Sequence, residues 1–243
     1  MRGRIALFAG ACLAAACAIG FTSTAHAQER NYLQRPLPAP TNALELGVGT
    51  GYTQGFGSVA PGRAIADVAG AGIGVHLNAD YRVAPRWSLG LEGEYQEFRN
   101  ALNMGARGVA TNAGVTLHAA PLLRGDPWLR VAAGYRLLWD VNPPAGVTTV
   151  RHGLELAKAT IGYDIRVSEA VAIAPQIGGD VNLFLWQTQS GVNSALASGQ
   201  IGTFLFAGVQ GRFDVAGEKT TSTTIAAQPP GFRSSFKDAE LMQ

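Results

Sequence analysis

Leu44-Glu45-Leu46-Gly47-Val48-Gly49-Thr50-Gly51-Tyr52-Thr53-Gln54-Gly55-Phe56 sets Leu44, Leu46, Val48, Thr50, Tyr52 and Phe56 at one parity. Glu45, Gly47, Gly49, Gly51, Thr53 and Gly55 stand at the other. Successive side chains of a strand point to opposite faces, so the segment predicts a strand with one greasy face and one small or charged face. The pattern recurs about eight times along the chain.

A second segment sets Ala69, Ala71, Ile73, Val75, Leu77, Ala79 and Tyr81 against Gly70, Gly72, Gly74, His76, Asn78, Asp80 and Arg82, with Val68 at its fraying start. A third opposes Trp87, Leu89, Leu91 and Tyr95 to Gly90, Glu92, Glu94 and Gln96. A fourth opposes Val109, Thr111, Ala113, Val115 and Leu117 to Gly108, Asn112, Gly114 and His118. A fifth opposes Leu129, Val131, Tyr135, Leu137 and Trp139 to Arg130, Gly134 and Arg136. In the sixth, Leu154 and Leu156 share parity with Lys158, while Ile161, Tyr163, Ile165 and Val167 oppose Thr160, Gly162, Asp164 and Arg166. Either a bulge lies near Ala157 or the far end of this strand rises out of its apolar surroundings. The seventh runs from Val171 to Leu185 through Pro175, which lacks a ladder donor and predicts a bulge or irregular pairing. The eighth sets Ile201, Leu205, Val209 and Phe213 against Gly202, Phe204, Phe206, Gly208, Gln210 and Arg212.

The amino terminus bears on the compartment. Arg2 and Arg4 precede an apolar run from Ile5 to about Phe21, and Ala25-His26-Ala27 gives the small-x-small pattern beside a signal-peptidase site. Residues 1–27 are therefore expected to be a cleaved export signal. The rival, lipidation at Cys17, has its large aliphatic residue, Leu13, one position too far upstream. Cys12 and Cys17 leave with the signal, which excludes a disulfide, a thiolate ligand or a cysteine nucleophile in the mature chain. Arg2 and Arg4 leave too, so 17 basic residues face 17 acidic ones, and the charge balance argues for no nucleic-acid partner. No apolar run after residue 27 reaches the roughly 18 residues of a helical membrane span.

Residues 28–42, with Pro36, Pro38 and Pro40, read as an extended lead-in, residues 43–213 as the strand domain, and residues 214–243 as a disordered tail. The connections near Val83 to Arg86, Ala120 to Pro127 and Ser168 to Ala170 are short, while the other four run about 11 to 13 residues. A soluble barrel also has one apolar face. Two features favour lipid: the polar face is crowded with glycine, and aromatics gather at two levels, Tyr81, Trp87, Trp128 and Phe213 at one, Tyr52, Phe56, Tyr95 and Trp139 at the other. The fold expected is an all-β, eight-stranded, antiparallel up-and-down transmembrane barrel. Short turns and both termini would lie in the periplasm, with the longer loops outside.

The chain resembles the small outer-membrane barrels, the OmpA-like transmembrane domain and its OmpW-like relatives, over roughly residues 43 to 213. Segments such as Asp80-Tyr81-Arg82-Val83-Ala84-Pro85-Arg86-Trp87-Ser88-Leu89-Gly90-Leu91-Glu92-Gly93-Glu94-Tyr95 carry the likeness. The resemblance implies an outer-membrane location in a Gram-negative bacterium, membrane lipid as surroundings, and a monomer. It also implies delivery by the barrel-assembly machinery, with Phe213 as an internal version of the terminal aromatic signal.

Chemistry is sparse. His76, His118 and His152 lie on different strands without metal-ligand spacing, so neither a metal nor another cofactor is expected. His152 with Ser190, Ser194 or Ser198 would make a nucleophile and base pair, but the His-x-Ser spacing of lipid A deacylases is missing, since Gly153 and Leu154 follow His152. No catalytic residue is assigned, and a lipid A-modifying enzyme is the remote alternative. The inward positions offer two features instead. Glu92, Glu94, Asn112, Arg136, Lys158 and Asp180 converge at mid-height as a belt of paired charges, with Lys158 opposite Asp180. Leu138, Leu154, Phe184, Trp186, Phe204 and Phe206 form an apolar mouth, Phe204 and Phe206 filling space above Gly47, Gly49 and Gly51. The function expected is envelope structure or surface interaction with a plugged lumen. The alternative is a narrow channel for small or hydrophobic solutes.

Overall fold

The computed structural model describes residues 32–33, 35–99, 105–141 and 146–218. The expected export signal, the start of the lead-in and the tail beyond residue 218 lie outside them. Nine strands are present among the described residues: β1 (Ala43–Ala60), β2 (Arg63–Ala64), β3 (Ala71–Ala84), β4 (Trp87–Arg99), β5 (Gly105–His118), β6 (Gly125–Val141), β7 (Thr149–Ser168), β8 (Val171–Gln189) and β9 (Val192–Val215). From β3 onward each pairs antiparallel with the next, β1 pairs with β3, and β9 closes on β1 from Leu44↔Val215 to Gly57↔Gly202. The two residues of β2 pair only with β1, so eight strands form a closed ring.

Closure and alternation produce an inside-out molecule. Leu91 is 67% exposed, Ile73 66% and Leu77 58%, while Glu45, Asp80, Arg82, Arg136 and Lys158 are buried in the lumen. A soluble barrel would not leave its largest aliphatic residues in water over a continuous band. In lipid the same band is the favourable surface, and a closed ring leaves no strand edge unpaired within it. The strands run 13 to 24 residues apart from β2, beyond the 9 to 11 or so that cross a bilayer.

The long connections of the sequence reading turn out to be mostly strand. β8 and β9 continue into a hairpin closed by Ser190 and Gly191, whose positive φ angles (48° and 79°) give the tight turn that matches strand twist. This hairpin end stands opposite the terminal end, where Ala43, Val215 and the turns at residues 85–86, 119–124 and 169–170 lie. Val68 and Ala69 do not begin a strand. The chain folds into one 3₁₀ turn, Ile65–Asp67, closed by Val68 N–H and Ala69 N–H donating to Ile65 O, and β3 starts at Ala71. That turn carries Ile65, Val68 and Ala69 into the hairpin-end mouth, where all three are buried.

Two alternatives left open by the sequence are settled by register. In β7 the ladders shift between Glu155 and Ala157, so Leu156 and Ala157 both face outward and a bulge separates inward Lys158 from inward Glu155. In β8, Pro175 keeps register with Val209 on β9. The ladder to β7 loses pairs between Gly162↔Gln176 and Ile165↔Ile173 without slipping. The shift in β8 lies at Leu185 instead, between Phe184 and Trp186. The lead-in is docked: Leu37 N–H donates to Leu122 O (3.1 Å), Ala39 N–H to Pro121 O (2.9 Å), and Thr41 bridges Glu218. Ordered pairing thus continues past Phe213, the expected end of the barrel.

Arg placed at Leu91 or Val115, near mid-height of the apolar band, should cost about 2 to 4 kcal/mol of folding stability in vesicles, and Arg at Thr50, nearer an interface, less. Urea titration of folding into lipid vesicles reads the difference; equal tolerance at the three positions would contradict a lipid-facing band.

Candidate functional site: the charged lumen

Eight strands leave a bore only wide enough for side chains, and inward parity decides which enter it. At the terminal end Arg82 donates to Glu45 (2.6 Å), Arg212 pairs with both Glu45 and Asp164, and the Trp128 indole N–H donates to Asp164 (2.8 Å). Arg166 holds Asp214 at 2.7 Å. Nearer the centre, Arg130 Nη1 donates to Asp80 (2.7 Å) and Thr116 (3.1 Å), and its Nε lies 3.3 Å from Glu92.

The middle of the lumen is organised by Arg136. Its Nη2 lies 2.7 Å from Asp180, 3.0 Å from Glu155 and 3.5 Å from Glu94, its Nη1 donates to Gln96 (2.6 Å), and its Nε to Asn182 (3.1 Å). The guanidinium carbon stands 4.4 Å from the Phe204 ring centroid. A buried guanidinium is tolerable only when its donors are used in this way. Lys158 Nζ reaches Glu92 at 2.5 Å and Glu94 at 3.0 Å, over the Phe206 ring. Above this level Phe98, Leu138, Phe184, Phe204, Val59, Ile65 and Val68 form an apolar cluster at the hairpin end. Beneath it, a cavity of about 20 Å³ bordered by Asp80, Arg130 and Gln176 has room for about one water molecule.

All six expected belt residues face the lumen, but not every pairing is the one anticipated. Lys158 and Asp180 are register partners, yet Lys158 leans across the bore to β4 and Asp180 is held by Arg136. Cross-bore reach is invisible to a reading that compares neighbouring strands. Asn112, opposite Glu92, is buried without a hydrogen-bond partner among the described residues. Gln96, Arg130, Glu155 and Asn182 are further members of the network, outside the six expected. Parity alone would have flagged Gln96 and Arg130, whereas Glu155 becomes inward only through the β7 bulge.

Two of the six mouth residues lie elsewhere. Leu138, Phe184, Phe204 and Phe206 are lumenal, but Leu154 is 41% exposed on the outer face because the bulge reverses parity above Ala157. Trp186 pairs with His152 beyond the Leu185 shift and stacks on its ring outside the lumen (5.3 Å between centroids, 13°), beside Tyr135. Phe206 covers Gly178, and Phe204 lies near Gly55, rather than either ring over Gly47 to Gly51. The β1–β9 register explains the difference, since it sets Phe206 against Thr53 and Phe204 against Gly55. Tyr52, Phe56, Tyr81, Trp87, Tyr95 and Phe213 are exposed on the outer face, and Trp139 is half-buried there. Trp128 is not part of that girdle. It shares parity with Arg130, is 5% exposed, and occupies the hollow over Gly162.

Ser88 Oγ lies 3.5 Å from His118 Nε2, and His118 Nδ1 2.8 Å from Asp126, an arrangement that outlines a nucleophile, a base and an orienting acid. All three are fully buried, and the other Asp126 oxygen accepts Ala120 N–H (2.8 Å). The group ties the β5–β6 turn to β4. His118, Asp126 and Asp164 also bring potential ligand atoms within 4.8 Å of one another. Asp164 is already committed to Trp128 and Arg212, and a cation there would have to displace Arg212. His152 bonds Tyr135 (2.7 Å) and Thr188 (3.0 Å), not a serine.

No protein-family model and no curated protein sequence matches the chain. Among solved structures it is similar to the outer membrane protein OprG from Pseudomonas aeruginosa (9% identity, 74% of this chain and 99% of that one, TM-score 0.48). It is also similar to Neisserial surface protein A (13%, 69% and 95%, TM-score 0.42) and to the outer membrane protein AlkL in lipid bilayers (10%, 76% and 97%, TM-score 0.44).

Arg136→Ala should destabilise the barrel by about 3 to 5 kcal/mol, because it strands Asp180 and Glu155 in the bore. Asn112→Ala, which removes a group with no bonded partner, should cost under about 1 kcal/mol. Heat-dependent gel mobility of the folded form measures both, and a neutral Arg136→Ala would show that the network holds nothing together. Ring closure, an apolar exterior band and a charged lumen make the chain a small transmembrane β-barrel of the outer-membrane type.

Proposed function

We propose that the protein is a non-enzymatic integral outer-membrane barrel whose lumen is kept shut by paired charges, serving envelope structure or contacts made at its hairpin end. The observation that carries this reading is Arg136, fully buried and bonded to groups on β4, β7 and β8. One side chain thereby spans the bore at its middle, and Lys158 spans it again toward Glu92 and Glu94. Residues 1–27 act as the export signal, the hairpin end faces outward, and both termini are periplasmic, with residues beyond the barrel as a periplasmic tail. The chain works as a monomer surrounded by lipid, after delivery by the barrel-assembly machinery.

A narrow channel for hydrophobic solutes is the competing reading, favoured by the apolar cluster of Phe98, Leu138, Phe184 and Phe204 at the mouth. It requires Ile65 and Val68 to leave that cluster and the charges below it to part.

In a planar bilayer the unmodified protein should show little steady conductance, and Lys158→Ala should raise it. A large, stable conductance from the unmodified protein would reject the plug and support the channel. For topology, single cysteines at Ala64 and Ser194 should react with an impermeant thiol reagent on intact cells, and one at Ser168 should not; labelling at Ser168 would invert the orientation.

A further inference from the structure

The outer face of the ring is almost free of charge. On its eight strands, among the described residues, only Glu97 and Arg99 on β4 and Arg107 on β5 turn a charged side chain outward. They are neighbours. Glu97 is the register partner of Arg107, and Arg99 that of Gly105. Their row continues through Ile73 to Tyr52 on one side and to Trp139 on the other, the level of the hairpin-end aromatics. Arg107 Nε lies 3.2 Å from Glu97 Oε1, which also accepts the Tyr95 hydroxyl (2.8 Å). Arg99 makes no ion pair among the described residues, so the cluster carries one net positive charge. Ala71 and Gly105 flank Arg99 and leave an open groove of about 810 Å³ bordered by Tyr52, Ile73 and both arginines.

Lower on the same strands lies a second groove, of about 880 Å³. It is apolar, floored by Gly93, Thr111, Ala113 and Ala133 and walled by Leu77 and Leu91. Gly93 has open space where a side chain would stand. Gly93 lies four steps along β4 from Glu97, about 13 Å along the strand and about 10 Å in depth at the tilt of such barrels, which sets it within the hydrocarbon of one leaflet.

We propose that the two grooves form one site for a phosphate-bearing lipid of the leaflet at the hairpin end. Its phosphate lies between Arg99 and Arg107, and one acyl chain runs down β4 and β5 into the trough over Gly93. The charge matches: guanidinium groups bind phosphate oxygens through paired N–H donors, and here they stand at headgroup depth on an otherwise uncharged wall. The small residues beneath remove the side chains that would hold an acyl chain away. The site rests on the membrane reading of the barrel, and is independent of whether the lumen is plugged.

The test uses the full mature chain in nanodiscs of phosphatidylcholine with a minor fraction of phosphatidylglycerol, and native mass spectrometry of the released protein to read the retained lipid. The unmodified protein should retain phosphatidylglycerol preferentially. Arg99→Gln and Arg107→Gln should each lower that preference about fivefold, the worth of one arginine near a charged lipid surface. Gly93→Phe, which keeps both charges and fills the trough, should lower retention as well. Equal retention of the two lipids by the unmodified protein, or arginine variants that match it, would overturn the proposal. If Gly93→Phe changes nothing and inorganic phosphate competes as well as the lipid does, the arginines form a simple anion patch and the lipid site is rejected. A chain that fails to enter nanodiscs at all would count against the membrane barrel itself, whereas insertion without preference would count against this site alone.

Discussion

Every backbone donor and acceptor that meets hydrocarbon has to be satisfied inside the protein, and the pairing of β9 with β1 is what allows a sheet to meet that demand. Once the ring closes, the outer face has no choice but to be apolar and the inner face must accommodate whatever remains. Eight strands make the inner space narrow. Glycines at inward positions such as Gly162 and Gly178 admit Trp128 and Phe206, and the charges that lipid rejects are gathered in the bore, where they can reach one another.

The parity of the strands was legible because lipid enforces it. Each residue near mid-height that turns the wrong way exposes a polar group to hydrocarbon, so Leu44 to Phe56, Ile73 to Tyr81 and Leu129 to Trp139 read true from the sequence alone. The same argument explains the failures. Beyond the bilayer the penalty vanishes, alternation relaxes, and strand length can no longer be read. The β8 and β9 extensions toward the hairpin end therefore read as loops in the sequence. Trp128 needs no structure to be placed, since its parity with Arg130 and Arg136 already puts it inside.

The candidate site was half legible for a different reason. Register links a residue to its neighbours on adjacent strands, and on that basis Lys158 faces Asp180. Inside a narrow ring, however, a long cationic side chain has partners on strands that are not adjacent at all. Arg136 on β6 meets Gln96 and Glu94 on β4, and Lys158 on β7 meets Glu92 and Glu94 there. Those partnerships follow from the diameter of the ring, and no pairwise comparison of segments contains that diameter.

The β7 bulge joins the two lessons. One extra residue at Leu156–Ala157 turns Leu154 out to the apolar face and brings Glu155 in while Lys158 stays inward, a combination that a regular strand could not make. Below the bulge, Lys158 enters the lumen; above it, Glu155 does, and its carboxylate sits 3.0 Å from Arg136. Without the extra residue, continuing the parity of Lys158 would put Leu154 and Leu156 in the bore and leave Glu155 in lipid. The irregularity in the sequence is therefore the device by which β7 supplies both signs of charge to the lumen while keeping its outer surface apolar. It also shows why the most informative departure from alternation in a membrane strand is the place where a hydrophobic pair and a charge exchange faces within a few residues.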